Sequence, residues 1–298
     1  MTERMWSRRE FFRRTAVAGA VALGGPVLLS ACTSTGGGGN ALENARNAGT
    51  IKIGIAGEAP YGFTDASGRV TGEAPEVARA ALQQIGIGEV GAEQVEFGSL
   101  IPALNANRYD MVCAGMNITP ARCQQAAFSI PDYSALTAFL VPTGNPQGVK
   151  TFEDIAAKNL QLAVLGAAVE QGYAEKSGVP SGSIQVFPDQ NALLQAVTDN
   201  RVYAAALTDI SLKWLVKQNP NAPVEVTDGF APVIDGKEVV SAGGFVFRQA
   251  DNQLREAFNG ALRTLHTNGE WVRIASPFGF SEQNLPAAEL TTEQLCAA

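Results

Sequence analysis

Residues 108–122 read RYDMVCAGMNITPAR, and this stretch carries the main indication of fold class. The apolar run within it predicts a short buried strand over residues 110–114. The step from Thr119 to Pro120 predicts the start of a helix that continues to residue 126, because proline is favoured in the first helical turn. A strand that leads into a helix start is typical of α/β proteins.

Short apolar runs and segments of helical period alternate on both sides of this stretch. The apolar runs predict strands over residues 51–56, 136–141, 162–165, 184–187, 204–207 and 243–247. Apolar positions three and four residues apart predict helices over residues 72–86 and 99–108, and a closing helix marked by Leu254, Phe258, Leu262 and Leu265. The alternation predicts an α/β protein.

The length of the chain and one interruption predict two lobes. The residues beyond Asn40 exceed a typical domain of roughly 100 to 200 residues, and residues 142–146, PTGNP, break the alternation. We predict lobe 1 from residues 50–140 and 244–298 and lobe 2 from residues 141–243, with two hinge connections and a central ligand cleft. The alternative, two domains in series, would leave the end of the chain without a sheet to cover.

The first 31 residues predict an export signal. The apolar stretch from Thr15 to Ala31 is shorter than the roughly 20 residues that span a bilayer. Arg8 and Arg9 precede two phenylalanines, and this arrangement resembles the twin-arginine export signature. We therefore expect extracytoplasmic localisation.

The apolar stretch ends at a cysteine. Residues 29–32, LSAC, are similar to the lipobox of bacterial lipoproteins, in which the cysteine is acylated. Cys32 would then anchor the protein to the cell membrane, and residues 32–49, with four consecutive glycines, are predicted to form a flexible tether. The alternative is a leader without lipid, in which Cys32 is incidental.

Composition excludes several classes of function. Without residues 1–31, the chain has 17 basic and 27 acidic residues instead of 22 and 29, a balance that argues against nucleic acid as a partner. His266 is the sole histidine, so we expect no metal, no other cofactor and no Ser-His-Asp catalysis. Cys113, Cys123 and Cys296 allow one disulfide, and the sequence leaves the pair open. We expect a monomer.

Three segments resemble the signature of the family 3 solute-binding proteins, the polar amino acid receptors of ABC importers. They are residues 108–112 (RYDMV), 114–122 (AGMNITPAR) and 128–133 (FSIPDY). The resemblance extends from about residue 51 to residue 280 and implies a type II periplasmic-binding-protein fold. It also implies ABC permease subunits as partners and no catalysis.

Further segments resemble the ectoine and hydroxyectoine branch of that family. They are residues 58–63 (EAPYGF), 71–79 (TGEAPEVAR) and 96–102 (EFGSLIP), together with Gly279-Phe280-Ser281 and the tail that ends at Cys296. This resemblance implies a small zwitterionic ligand. The alternatives are a polar amino acid as the ligand or, in another class, an enzyme similar to the periplasmic cyclohexadienyl dehydratases, with Glu58 as its acid or base.

Arg122 is the residue expected to hold the ligand carboxylate. The helix start at Thr119 offers backbone N–H groups to an anion, and a guanidinium one turn later supplies two parallel donors. The alternative is a surface arginine paired with a nearby acid. The match of residues 118–122, ITPAR, to the family signature favours the ligand role for Thr119 and Arg122.

Aromatic rings are expected around the cationic part of the ligand. The resemblance implies that Tyr61 and Phe97 form two walls of an aromatic box, and burial in the core is the alternative for both. Where the ectoine branch has a third aromatic residue, this chain has Asn117. Either Phe63 supplies the third wall or Asn117 forms a hydrogen bond with the ligand.

Acids and a backbone segment complete the predicted site. Glu58 and Asp209 are expected to accept hydrogen bonds from ligand N–H groups, and Asp209 is also suited to cap a helix. After the first strand of lobe 2, Gly166 and Ala167 are expected to contact the ligand through backbone N–H donors. Amino acid receptors of the family commonly have Gly-Thr there, so Ala167 weakens the amino acid alternative.

Overall fold

The computed structural model of the protein describes residues 40–297. The predicted export signal, with Arg8 and Arg9, and the predicted lipidation site at Cys32 lie outside these residues. Within residues 40–297, no helix combines the length and the apolar character needed to cross a membrane.

Helices and strands alternate along the described residues, as predicted. The helices are α1 Ala41–Ala48, α2 Glu73–Gln84, α3 Leu100–Asn105, α4 Pro120–Cys123, α5 Phe152–Ala157, α6 Val169–Lys176, α7 Gln190–Thr198, α8 Asp209–Gln218, α9 Asn252–Thr267, α10 Glu270–Ala275 and α11 Thr292–Ala297. The strands are β1 Thr50–Ile55, β2 Phe63–Thr64, β3 Val70–Thr71, β4 Glu89–Gln94, β5 Met111–Asn117, β6 Ala127–Phe128, β7 Tyr133–Ser134, β8 Thr137–Pro142, β9 Leu162–Leu165, β10 Ile184–Phe187, β11 Ala204–Thr208, β12 Val224–Val226, β13 Val233–Ile234, β14 Lys237–Glu238 and β15 Ala242–Phe247.

The first lobe is built on a six-stranded sheet of order β4-β1-β5-β15-β6, with β7 also paired to β15. β1 is parallel to β4 and β5, whereas β15 returns antiparallel to β5. Helices α2, α9 and α10 pack against one another and against the apolar core of this lobe. The carboxyl end of β5, at Asn117, is the edge from which α4 begins.

The second lobe is built on a five-stranded sheet of order β10-β9-β11-β8-β12. β9 is parallel to β10 and β11, and β8 runs antiparallel to β11 and β12. Helix α6 follows β9 and helix α8 follows β11, so both begin at the carboxyl ends of parallel strands. This edge is where α/β sheets usually bind ligands.

The chain crosses between the lobes twice, as predicted, but at other residues. β8 belongs to the second sheet, so the first crossing lies at residues 135–136 and the predicted boundary at residue 140 is wrong. The PTGNP segment that suggested this boundary forms a turn after β8 inside lobe 2. The return occurs between Phe230 and Ala242, because β15 lies wholly in the first sheet. The two connections touch where the Ala135 N–H donates to the Ser241 carbonyl at 3.1 Å.

The predicted tether is too long at its C-terminal end. Residues 41–48 form α1, whose first turn is capped by the Asn40 side chain and whose end is Gly49 in the left-handed conformation. Leu42 and Ala45 lie on one face and are buried in the core of lobe 1. Residues 41–49 are therefore part of the folded body.

One disulfide is present among the described residues. It joins Cys123 at the end of α4 to Cys296 in α11, with 5.7 Å between the two Cα atoms. Cys113 lies in the middle of β5 as a buried free thiol. The pairing that the sequence left open is thus Cys123 with Cys296.

Candidate functional site

Arg122 extends from α4 into the cleft between the lobes. Thr119 caps this helix, because its Oγ1 accepts a hydrogen bond from the Arg122 backbone N–H at 3.4 Å, and Pro120 occupies the first turn. One terminal nitrogen of the guanidinium donates to the Asn117 carbonyl at 2.8 Å. The other donates across the cleft to the Ala167 carbonyl at 2.9 Å. Arg122 therefore bridges the two lobes.

Phe97 supports the guanidinium of Arg122. The guanidinium carbon lies 5.3 Å from the centre of the Phe97 ring, within the range of a cation–π contact. Phe97 lies in a short 3-10 turn directly before α3 and is buried in an apolar cluster of lobe 1. The face that was predicted to contact a ligand cation thus faces a cation of the protein itself.

Tyr61 is buried in a different aromatic cluster. Its ring centre is 4.9 Å from that of Tyr133 and 5.5 Å from that of Phe280. The ring lies close against β5, where a side chain at Gly115 would collide with it. The Tyr61 hydroxyl donates to Thr208 Oγ1 of lobe 2 at 3.2 Å. Tyr61 therefore connects the lobes.

Phe63, the residue considered for the third wall of the aromatic box, lies apart from Tyr61 and Phe97. The Phe63 ring lies 6.2 Å from the Trp214 ring, in a separate groove between the lobes. Phe63 is therefore not the missing wall. The Asn117 amide nitrogen donates to Ser241 Oγ at 2.6 Å, at the second connection between the lobes. Its amide nitrogen is thus engaged by the protein.

Glu58 is a buried acid that faces lobe 2. The residue is 9% exposed, and one of its carboxyl oxygens accepts a hydrogen bond from the Ser211 hydroxyl at 2.7 Å. Burial raises the pKa of Glu58 to about 7, although the hydrogen bond from Ser211 and the charge of Arg122 act in the opposite direction. Glu58 can therefore change its charge near neutral pH.

Glu170 is a cleft residue that the sequence analysis missed. It lies in the first turn of α6, three residues after Ala167, and is 2% exposed. Burial raises its pKa to about 7, and the nearby charge of Glu58 adds to this shift whereas Arg122 reduces it. The sequence could have indicated this residue, because Glu170 follows β9 at the same edge of the sheet as Gly166 and Ala167.

The segment after β9 presents an acceptor to the cleft. The Gly166 N–H donates to the Phe187 carbonyl at 2.9 Å, and the Ala168 N–H donates to the Leu165 carbonyl at 3.1 Å. Ala167 adopts the left-handed conformation, with φ of 63°, and its carbonyl accepts from Arg122. The prediction that Gly166 offers a free N–H donor is therefore wrong.

Asp209 lies at the first connection between the lobes. Its two carboxyl oxygens accept hydrogen bonds from the Leu136 N–H at 3.2 Å and from the Lys213 ammonium at 2.6 Å. The cap of α8 is Thr208, whose side chain accepts from the Ser211 N–H. The capping role considered for Asp209 is therefore wrong by one residue, and its contact with a ligand stays a prediction.

The cleft thus brings together groups of opposite charge. Burial lowers the pKa of Arg122, and the charge of Glu170 offsets part of this shift, so the guanidinium remains charged at neutral pH. Glu58 and Glu170 are the buried acids next to it. A planar donor group opposite carboxyl groups suits a small molecule that has both a carboxylate and a cationic group.

Known proteins share this architecture. The family profile of the bacterial extracellular solute-binding proteins, family 3, matches residues 51–281. The chain is 35% identical over 260 residues to a probable amino-acid ABC transporter periplasmic-binding protein of Sinorhizobium fredii, and the alignment covers 86% of each chain.

Solved structures agree with this match. A crystal structure of EhuB in complex with hydroxyectoine has 35% sequence identity and a TM-score of 0.78, and the match covers 87% of this chain and 98% of that one. An ancestral arginine-binding protein bound to arginine has 27% identity and a TM-score of 0.69, with coverage of 78% and 99%. The predicted two-lobed periplasmic-binding fold is confirmed, and the chain belongs to the bacterial extracellular solute-binding proteins, family 3.

Proposed function

We propose that this protein captures ectoine or hydroxyectoine in the cleft and delivers it to the permease subunits of an ABC importer. The observation that carries the proposal is the position of Arg122 between the lobes, beside the buried acids Glu58 and Glu170. The family membership supports transport without chemistry on the ligand.

The carboxylate of the ligand is assigned to Arg122. Its two terminal nitrogens donate to carbonyl groups of Asn117 and Ala167, and a carboxylate is a stronger acceptor than a carbonyl for a charged donor. Phe97 and Thr119 hold the guanidinium and the helix start in place. A ligand carboxylate would therefore compete well for the donor directed at Ala167.

The cationic group of the ligand is assigned to the acids. The ring of ectoine has a delocalised cation with N–H groups, and Glu58 and Glu170 are suitable acceptors for them. Asp209 is a third candidate, although both its oxygens already accept hydrogen bonds within the protein. Tyr61 follows Glu58 by three residues in the segment that resembles the ectoine branch, and it supplies aromatic surface.

Two observations favour ectoine compounds over amino acids. The hydroxyectoine complex of EhuB is more similar to this chain, in both identity and TM-score, than the arginine complex of the ancestral protein. In addition, Ala167 and Ala168 have no hydroxyl group for the carboxylate of an amino acid. An amino acid such as arginine is the second candidate ligand, because an arginine-binding extracellular protein of Bacillus subtilis is 28% identical over 246 residues.

Calorimetric titration tests the proposal. The described residues 40–297 belong to one compact unit, so protein without residues 1–37 is titrated with ectoine, hydroxyectoine, proline, betaine, glutamine and arginine. We expect the tightest binding for ectoine or hydroxyectoine. Binding of arginine or glutamine without ectoine compounds would overturn the ligand assignment, and absence of binding throughout would overturn the site.

Export and anchoring are part of the proposal. Arg8 and Arg9 are assigned to twin-arginine export and Cys32 to acylation, and the names of the relatives, periplasmic-binding and extracellular, support an extracytoplasmic location. Fractionation of cells that produce Cys32→Ala tests the anchor. We expect the variant in the soluble extracytoplasmic fraction, and a variant that stays on the membrane would contradict acylation.

A further inference from the structure

The end of the chain packs on lobe 1 and contacts segments that carry predicted site residues. We define the C-terminal strap as residues 279–296. The family profile ends at residue 281, so most of the strap lies beyond the residues that the profile matches. Its middle part lines a groove with α9, and its two ends contact segments that carry predicted site residues.

The first part of the strap contacts Tyr61 and the connection between the lobes. The Phe280 ring packs edge-on against the rings of Tyr61 and Tyr133, at 5.5 and 5.9 Å. The Asn284 amide nitrogen donates to the Ser134 carbonyl at 3.1 Å, directly before the first crossing. This part therefore supports the loop that also carries Glu58.

The last part of the strap contacts the segments that carry Arg122 and Phe97. Leu295 is 4% exposed and belongs to the same apolar cluster as Phe97. Helix α11 packs on α4, and the Cys296 sulfur is bonded to Cys123, the neighbour of Arg122. The Thr292 hydroxyl donates to the Ser129 carbonyl at 2.6 Å and fixes the start of α11.

Helix α4 needs such support. It has four residues, whereas helices shorter than about 12 residues are marginal without tertiary contacts. None of its residues is fully buried, so the helix has little apolar packing of its own. A change in the position of α4 would displace the guanidinium of Arg122 from the Phe97 ring.

We propose that the C-terminal strap, fastened by the Cys123–Cys296 disulfide, positions Arg122 and Phe97 for ligand binding before the ligand arrives. Cys123 and Cys296 are then positioning residues that act through α4. This inference rests on the proposed function only in taking the cleft as the ligand site, and it holds for any ligand with a carboxylate.

The test uses Cys296→Ser and Cys123→Ser in the protein from residue 38 onward, with hydroxyectoine and arginine as probes. We expect the dissociation constant of whichever probe binds the wild type to rise about tenfold in each variant. The double variant should show the same rise in the dissociation constant, because each substitution alone already removes the single disulfide. Hydrogen exchange of the ligand-free protein should become faster in residues 119–126 and stay unchanged in β9 and β11.

Loss of stability needs a separate control. Removal of a disulfide also lowers the unfolding midpoint, because the bond constrains the unfolded chain. Val197→Ala, in the core of lobe 2, should lower the midpoint without changing ligand affinity or exchange in residues 119–126. Wild-type protein treated with a phosphine reductant, which converts the bond to two thiols, provides the same test if a variant fails to fold.

The outcomes separate the two proposals. If neither these probes nor ectoine bind the wild type, the proposed function fails, and hydrogen exchange still decides the role of the strap. If a probe binds and its dissociation constant stays within twofold after loss of the disulfide, the strap does not position the site. Equal loss of affinity in Val197→Ala would also overturn the inference, because the effect would then follow from general instability.

Discussion

In lobe 1, the predicted site residues on the cleft contact one another. In lobe 2, the groups that face the cleft are separate from one another. Arg122 lies on the Phe97 ring and donates to the backbone at Asn117. Lobe 2 contributes the Ala167 carbonyl and Glu170 from the start of α6. We therefore expect lobe 1 to present a preformed binding surface that lobe 2 completes.

This difference defines how closure would depend on the ligand. The contacts between the lobes include individual hydrogen bonds, from Arg122 to Ala167, from Tyr61 to Thr208 and from Ser211 to Glu58. A ligand that contacts both lobes favours the closed state by the additional interactions it makes there. Changes in lobe 1 should then affect every step of binding, and changes in contacts between the lobes should affect mainly closure.

The largest effect is expected for Arg122→Ala. Removal of one partner from a buried charged pair weakens binding by about 2 to 5 kcal/mol, because the ligand carboxylate is left without a partner. Arg122→Lys should restore only part of the affinity, since an ammonium group cannot donate two parallel hydrogen bonds. Calorimetric titration with the best ligand measures both variants.

Arg201→Ala is the matched control for that variant. Arg201 belongs to lobe 2, and its guanidinium lies 5.2 Å from the centre of the Phe187 ring. Its removal eliminates a comparable cation–π contact without removing the arginine assigned to the ligand. Affinity close to that of the wild type is expected. If Arg201→Ala and Arg122→Ala weaken binding equally, the assignment of the carboxylate to Arg122 is wrong.

The second effect concerns pH. The pKa values of Glu58 and Glu170 are both raised to about 7, so each acid is mostly protonated at pH 6 and mostly ionised at pH 8. A cationic group binds the ionised form, so affinity should rise with pH by up to roughly tenfold for each acid. Titrations of the wild type, Glu58→Gln and Glu170→Gln between pH 6 and pH 8 measure this. A flat profile in the wild type would show that the acids do not contact the cation.

Stability should change with pH in the opposite direction. A raised pKa means that the folded protein binds a proton more tightly than the unfolded chain, so the acids stabilise the fold at pH below their unfolded value of about 4.5. This contribution is lost as the pH rises through 7. The unfolding midpoint of the ligand-free protein should therefore fall between pH 5 and pH 8, and less so in Glu58→Gln. A midpoint that rises over this range would contradict the raised pKa values.

A smaller effect is expected for Phe97→Leu. Leucine keeps most of the apolar volume but removes the ring face beneath Arg122, a contact that contributes about 0.5 to 2 kcal/mol. Affinity for every carboxylate ligand should fall by a matching amount, because the guanidinium loses part of its support. Phe187→Leu, beneath Arg201, is the control. A loss confined to ligands with a delocalised cation would instead indicate that Phe97 contacts the cation directly.

Local sequence patterns were sufficient to predict many of the strands and helices. The strand predicted over residues 162–165 coincides with β9, in which all four residues are buried, as expected for a short apolar run in a parallel sheet. The strand predicted over residues 184–187 coincides with β10, at the edge of the same sheet. The helix start at Pro120 follows from proline chemistry, whereas the role expected for Arg122 depended on the match to the family signature. The amphipathic spacing also located α9.

Contacts between segments that are distant in the sequence explain the errors in the predictions. Residues 142–146 have the composition of a linker, but the pairing of β8 with β11 assigns the strand before them to lobe 2. The disulfide depends on the approach of α11 to α4, which no local pattern reports. For the same reason, no local pattern indicated that Tyr61 and Phe97 would join different clusters. The aromatic box around a ligand cation stays a prediction. Glu170, in contrast, could have been predicted from the sequence. It follows β9 at the carboxyl end of the strand, as Ala167 does.

The smallest effect is expected for Tyr61→Phe, which tests closure alone. The change keeps the ring packed on Tyr133 and Phe280 but removes the hydroxyl that donates to Thr208 across the cleft. A hydrogen bond of this kind contributes about 0.5 to 1.5 kcal/mol. Because the bond joins the lobes, its loss should raise the rate of ligand dissociation several-fold and leave the association rate nearly unchanged. Stopped-flow fluorescence measures both rates.

Tyr133→Phe is the matched control, because the Tyr133 hydroxyl donates to the Gly115 carbonyl inside lobe 1 at 2.6 Å. Both variants remove one phenolic hydroxyl from the same aromatic cluster, but only Tyr61→Phe removes a contact between the lobes. Tyr133→Phe should therefore lower the unfolding midpoint, since a carbonyl loses its partner, and leave the dissociation rate unchanged. X-ray scattering adds an independent measurement: at subsaturating ligand, Tyr61→Phe should have the larger mean radius of gyration. If the two variants change the dissociation rate equally, the hydroxyl of Tyr61 acts through the packing of lobe 1, and the hydrogen bond to Thr208 has no separate role in closure.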